Sequence, residues 1–209
     1  ILGCDGGLYI THDRGATWDF HNVMDIGQFY DVGVDTRAPY WVYGGLQDNG
    51  SWGAPNRKRG TRGTFNSDWL RIGGGDGFLC RADPDDPYTV YCEMQGGRIW
   101  RVNMKTGARY TLRPPGKDLK FNWKTPFVLS PHNSRIFFSA GNYVFRSLNR
   151  GANLQRISPK LGRTDRGTAT ALAESPRKSG VLWAGTDDGA LWLTRDGGRE
   201  WKNLVEKVG

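Results

Sequence analysis

The acids in the most ordered surroundings are Asp13 and Asp196. They sit in Leu8-Tyr-Ile-Thr-His-Asp-Arg-Gly-Ala-Thr-Trp18 and Leu191-Trp-Leu-Thr-Arg-Asp-Gly-Gly-Arg-Glu-Trp201, which superpose without gaps at an offset of 183. Thr11 falls on Thr194, Asp13 on Asp196, Gly15 on Gly198 and Trp18 on Trp201; upstream, Asp5-Gly6 falls on Asp188-Gly189. A carboxylate two residues before a turn glycine can accept the turn's free backbone N–H groups. The glycine supplies the positive φ, and the Trp is expected to bury its ring on the neighbouring strand. Both aspartates are therefore structural: their carboxylates are consumed by amides. Other reactive signatures are missing. The sequence has no Gly-rich phosphate loop followed by Lys-Ser/Thr, no His-Glu-x-x-His and no Gly-x-Ser-x-Gly. His12, His21 and His132 are scattered, and Cys4, Cys80 and Cys92 lack metal-ligand spacing, so no metal and no cofactor is expected. Cys80 and Cys92 flank the Pro84–Pro87 turn almost symmetrically and would face each other in a hairpin. A disulfide or two buried free thiols fit, with the thiols preferred.

The elements that carry these residues are short strands. Alternating apolar runs break at Gly, Pro and Asp clusters, and each box reads as strand, tight hairpin, strand. Decayed boxes lie between the two complete ones. Asn103-Met-Lys-Thr-Gly107 is one; Ser147-Leu-Asn149-Arg-Gly151 is the other, with Asn149 for the Asp and Leu154 for the Trp. Gly107, Gly151 and Gly198 are 44 and 47 residues apart, and the 92 residues from Gly15 to Gly107 make two such steps. Pro84, Pro131 and Pro176 mark the inner turns. A period near 45 with four strands per repeat is the signature of propeller blades. The expected fold is all-β: a β-propeller of four-stranded antiparallel blades, here an incomplete arc of about four and a half. One partial blade covers 1–22, and full blades cover 28–72, 73–114, 123–158 and 168–205. Such a meander closes only if the last blade meets the first. The chain is therefore expected to be an excerpt whose open edges are covered by the remaining blades of a parent chain.

Topology then sorts the polar residues. Box hairpins join strands three and four at the rim of one face. The loops between strands two and three, and the linkers between blades, emerge on the other face near the axis. That channel face is expected to carry Asp5, Gln47, Asp48, Asn49, Glu93, Gln95, Asn142, Asp187 and Asp188 from loops, and Gln28, Asp76, Lys124 and Thr168 from linkers. Acids and amides beside Tyr30, Phe78 and Trp123 make a surface suited to sugar or peptide. Gln47, Asp48, Asn49, Glu93, Gln95, Asn142 and Asp187 are the candidate ligand contacts. The competing reading is that Asp-Gly and Asn-Gly are simply good turn dipeptides.

The Ser/Thr-x-Asp-x-Gly-x-x-Trp pattern resembles the Asp-box, or BNR repeat, of sialidases, sortilin-type receptors and several polysaccharide-acting propellers. Thr11, Asp13, Gly15, Trp18, Ser147, Asn149, Gly151, Thr194, Asp196, Gly198 and Trp201 are its positions here. Gly27-Gln-Phe-Tyr30, Val42–Trp52 and Asp68-Trp69 through Gly74–Phe78 look like the sortilin-like Asp-box propellers of prokaryotic exported proteins. The resemblance covers nearly the whole chain. It implies a non-catalytic module that binds peptide, protein or glycan, or scaffolds, in an extracytoplasmic or secreted setting. No arginine triad of the sialidase kind can be assigned. Cys4-Asp5-Gly-Gly-Leu-Tyr is similar, with one residue's departure, to the context of one acid in xyloglucan-acting Asp-box propellers. That likeness implies an inverting glycoside hydrolase, whose two carboxyls stand about 6.5–9.5 Å apart. Asp5 is then one candidate acid, and Asp76, Asp187 or Asp188 its partner.

Composition bounds the rest. The 209 residues include 30 Gly, 9 Trp, 8 Tyr and 9 Phe, a mix that favours strands and tight turns over helices. No apolar run is long enough to span a bilayer. The net charge of +8 favours acidic partners, and Arg57-Lys-Arg-Gly-Thr-Arg62 is the one dense basic cluster. It reads as a solvated loop before a polyanion patch, and nucleic acid is not an expected partner. Asn49-Gly-Ser51 matches a glycosylation sequon.

Overall fold

A computed structural model describes residues 1–4, 7–21, 27–60 and 63–205. It is an all-β arc of five antiparallel sheets, an incomplete β-propeller. The first sheet has three strands, β1 (Leu2–Cys4), β2 (Gly7–Ile10) and β3 (Asp19–His21). Four four-stranded blades follow, each a simple meander. The second blade holds β4 (Phe29–Val34), β5 (Trp41–Leu46), β6 (Gly50–Pro55) and β7 (Leu70–Gly73). The third holds β8 (Gly77–Ala82), β9 (Thr89–Met94), β10 (Arg98–Asn103) and β11 (Arg109–Thr111). The fourth holds β12 (Phe127–Leu129), β13 (Phe137–Ala140), β14 (Val144–Ser147) and β15 (Gln155–Arg156). The fifth holds β16 (Ala169–Glu174), β17 (Leu182–Thr186), β18 (Leu191–Thr194) and β19 (Lys202–Asn203).

The core is divided among the gaps between blades. Tyr43 and Ile72 of the second blade pack with Cys80, Val90, Cys92 and Val102 of the third. Tyr91 and Ile99 of the third pack with Phe127, Phe137 and Phe145 of the fourth. Ala140 and Val144 of the fourth meet Ala169 and Ala184 of the fifth. A strand between two neighbours must be apolar on both faces. On β9, Val90 and Cys92 face back while Tyr91 faces forward, so Thr89 to Glu93 is buried without a break. Near the axis the blades converge and side chains no longer fit. A Cβ on Gly33 would stand 2.2 Å from the Cys80 carbonyl oxygen, and one on Gly45 would stand 2.2 Å from the Gly77 backbone.

Cys80 and Cys92 are cross-strand partners, as the turn symmetry implies, and both are buried free thiols. Burial pushes the Cys80 thiol up to about 12. The expectation for Trp18 fails. The residue is 46% exposed, because the short three-stranded sheet offers no buried face to receive it. In the second complete box, Trp201 does pack, against the core between the last two blades, and its indole N–H donates to the Ile157 carbonyl at 2.7 Å.

Candidate functional site

The box aspartates behave as turn residues. The Asp13 carboxylate accepts the Thr17 amide at 2.9 Å and the Thr17 and Thr11 hydroxyls at 2.5 and 2.8 Å. These bonds, the Thr17 hydroxyl first, hold it down at about 2. Asp196 accepts the Arg199 and Glu200 amides, both at 3.0 Å, and the Thr194 hydroxyl at 2.8 Å. In the third blade Asn103 takes this role, accepting the Lys105 and Thr106 amides. In the fourth, Ser147 accepts the Asn149 amide and donates to the Ala152 carbonyl.

On the channel face, most of the candidate contacts lock linkers onto blades. Asp76, just before β8, accepts the Asp48 amide at 2.8 Å and the Gln95 side-chain amide at 3.2 Å, while its own N–H donates to Gln95 Oε1. Asn142 accepts the Lys120 amide and donates to the Asp118 carbonyl. Asp187 accepts the Thr168 amide and hydroxyl, both at 2.8 Å, and the Asn122 side chain at 3.0 Å. Asp188 accepts the Thr164 amide at 2.7 Å and hydroxyl at 3.0 Å, and the Thr186 hydroxyl at 2.6 Å. The Thr186 hydroxyl is the main cause that holds Asp188 below the usual carboxylate range. In each case a loop or linker acid or amide satisfies backbone that would otherwise lack partners at a blade junction.

Glu93 lies on β9, fully buried, and not in the loop. Oε1 accepts the Thr125 amide of the linker to the fourth blade, while Oε2 has no partner among the described residues. Burial pushes its carboxyl up to about 8, against the pull of the Thr125 and Leu79 amides and Lys124. Gln47 accepts the Tyr30 hydroxyl at 3.1 Å, and the Asn49 side chain donates to the Gln47 carbonyl. The Asp48 carboxylate is exposed and makes no hydrogen bond among the described residues. Asp5 lies outside the described residues.

Beside the Asp48 carboxylate, what remains open on this face is aromatic and basic. Trp123 is 59% exposed, and its carbonyl accepts the Gly96 amide of the adjacent loop. Tyr30 is half-exposed and packs on Phe78 with ring centroids 4.6 Å apart. Sequence reasoning missed the ion cluster on the inner strands. Arg81 on β8 pairs with Asp31 on β4 at 2.9 Å, and Lys124 stands 3.9 Å from the same carboxylate. The signal available was a charge inside an otherwise apolar inner strand on both blades. In the basic cluster, Lys58 is paired with Asp68. Among the described residues no group of three or more His, Cys, Asp or Glu could hold a metal ion, and no helix is long and apolar enough to cross a membrane.

No family model matches the sequence. The oligoxyloglucan-reducing end-specific xyloglucanase of Emericella nidulans is 27% identical over 138 residues, which cover 59% of this chain and 17% of that protein. The crystal structure of an ancestral GH74 enzyme matches with a TM-score of 0.65 at 15% identity, covering 97% of this chain and 29% of that one. The β-propeller domain of Cps50 (Swd1) from Myceliophteria thermophila matches with a TM-score of 0.58 at 16% identity, covering 86% of this chain and 55% of that one. These likenesses show the propeller fold, and this chain spans only a small part of the curated relative and of the GH74 enzyme.

Proposed function

We propose that the chain is part of an extracytoplasmic propeller of the Asp-box, sortilin-like kind that recognises a glycan on its channel face without cleaving it. The observation that carries this reading is the division of labour on that face. Asp76, Asp187 and Asp188 are engaged by backbone and side-chain donors at blade junctions, while Trp123 and Tyr30 are left exposed. Carboxylates held in this way are poor proton donors to a sugar oxygen. Exposed aromatic rings beside polar groups suit the apolar faces of sugar rings. The likeness to a xyloglucanase favours a glycan over a peptide, and the exported-propeller resemblance favours a site outside the cytoplasm.

The same likeness supports a second reading, inverting hydrolysis with Asp5 as one acid. Incubation with xyloglucan oligosaccharides separates the two. Binding without release of reducing ends, weakened at least about tenfold in Trp123→Ala, supports recognition. Steady release of reducing ends that Asp5→Asn abolishes replaces it with hydrolysis.

A further inference from the structure

The hairpin face, opposite Trp123, carries a second polar site. Between the third and fourth blades lies a cavity of ≈ 330 Å³ lined by Thr89, Arg101, Asn103, Tyr110, Asn149 and Arg150. Arg101 sits on β10 directly across from Tyr91 on β9 and Tyr110 on β11, so the three side chains form one row facing the fourth blade. Tyr91 anchors that row, its ring 5.4 Å from Phe137. Its buried hydroxyl has no hydrogen-bond partner among the described residues. The Arg101 guanidinium lies 5.0 Å over the Tyr110 ring, and its Nη1 donates to the Arg150 carbonyl at 2.7 Å.

The charges do not cancel. Arg150 is neutralised by buried Asp83, with Nε to Oδ2 at 2.9 Å. Asp86 is turned into its own turn, where it takes the Tyr88 amide and the Thr89 hydroxyl. Arg101 has no carboxylate partner among the described residues. The Asn103 and Asn149 side-chain amide groups make no donor hydrogen bond there either. A half-buried, unpaired guanidinium is a fork shaped for a carboxylate. A tyrosine wall and two free amides around it match a sugar ring and its hydroxyls. The volume is at the lower end of that of small-molecule sites, about 300 Å³ and upward.

We propose that this cavity binds a uronic-acid unit of an acidic glycan, its carboxylate on Arg101, its ring against Tyr110 and its hydroxyls on Asn103 and Asn149. The site is independent of the channel face. The full chain is titrated with trigalacturonate, with a neutral trisaccharide of glucose and with inorganic phosphate, followed by calorimetry. Trigalacturonate should bind at least about tenfold more tightly than phosphate, and binding of the neutral glucan, which the channel face supplies, should be unmoved by Arg101→Gln. Its affinity should fall with added salt. Arg101→Gln should weaken it at least about tenfold. Tyr110→Ala removes an exposed side chain that makes no hydrogen bond among the described residues, so it tests the same wall without threatening the fold; it should weaken binding at least about threefold. Trp123→Ala should leave it unchanged. Equal binding of phosphate, no binding at all, an equal fall in neutral-sugar binding in Arg101→Gln, or affinity that survives both Arg101→Gln and Tyr110→Ala overturns the proposal. Loss in Trp123→Ala overturns it too, moving the acidic ligand to the channel face and leaving the recognition reading intact.

Discussion

Glu93 is the residue whose surroundings most constrain its chemistry. Its carboxyl is buried at a blade junction, with Asp31 raising its affinity for a proton and Lys124 lowering it. The folded pKa of about 8 lies above the ordinary value of 4.5. Between those two values the folded chain holds a proton that the unfolded chain has lost. The stabilising contribution is therefore full below about 4.5, and it declines as pH rises until it is gone above about 8. The shift corresponds to an amount on the order of 5 kcal/mol across that window. Glu93→Gln keeps the shape and removes the titration. Urea midpoints at pH 5.5 and 8.5 should converge in the variant and differ in the parent chain, with the variant the more stable at pH 8.5. Parallel pH slopes for the two proteins would assign the buried proton elsewhere. This residue also shows where sequence reading stops. Glu93 precedes Gln95-Gly-Gly97 and reads as a loop acid. Its burial follows from strand parity, since it shares the forward face of β9 with Tyr91, and parity is set only when the fourth blade packs against it.

Three of the hairpins that join the last two strands of a sheet, in the first, fourth and fifth, share one backbone. Arg14, Arg150 and Gly197 have φ of 60°, 51° and 74°, and the glycines after them, Gly15, Gly151 and Gly198, have 96°, 85° and 93°. Two successive left-handed residues make the turn, and a side chain there costs roughly 1–2 kcal/mol. Surroundings then separate equivalent positions. A Cβ on Gly15 would meet only Trp18 at 3.7 Å, whereas one on Gly198 would stand 2.8 Å from the Ile157 carbonyl oxygen. Gly15→Ala should cost about 1 kcal/mol. Gly198→Ala should cost about 1–3 kcal/mol more, through the overpacked contact with Ile157. Chemical denaturation of the two variants makes the comparison, and equal losses would contradict it. These hairpins are legible in the sequence because their carboxylate, hydroxyl and glycine act within a few residues of one another. The channel-face acids are less so. Asp76 and Asp187 read as open loop residues, and only the docking of linkers such as Thr168 and Asn122 shows that their oxygens are occupied. The pocket at Arg101 is legible least of all, since it needs two neighbouring blades.

The whole molecule is held by its inter-blade gaps, and the gap before the second blade is the weakest. The three clusters of the core join the second blade to the third, the third to the fourth and the fourth to the fifth. On β4, by contrast, Val32 and Val34 are 56% and 59% exposed, and Phe20 and Trp18 of the first sheet are also open to solvent. Two β-branched side chains on one strand face, with no cover among the described residues, form a surface prone to association. The net charge of +8 opposes that association by mutual repulsion, and salt screens the repulsion. The chain should therefore remain dispersed at low ionic strength and self-associate as salt is raised. Val32→Lys/Val34→Lys should suppress the salt-induced association, since it replaces the apolar contact with charge. Because neither side chain belongs to a core cluster, the double variant should unfold within about 1 kcal/mol of the parent. Light scattering across a salt series reads the first effect and denaturation the second. Association that the variant leaves untouched would assign the sticky surface to another part of the arc, such as Trp18 and Phe20.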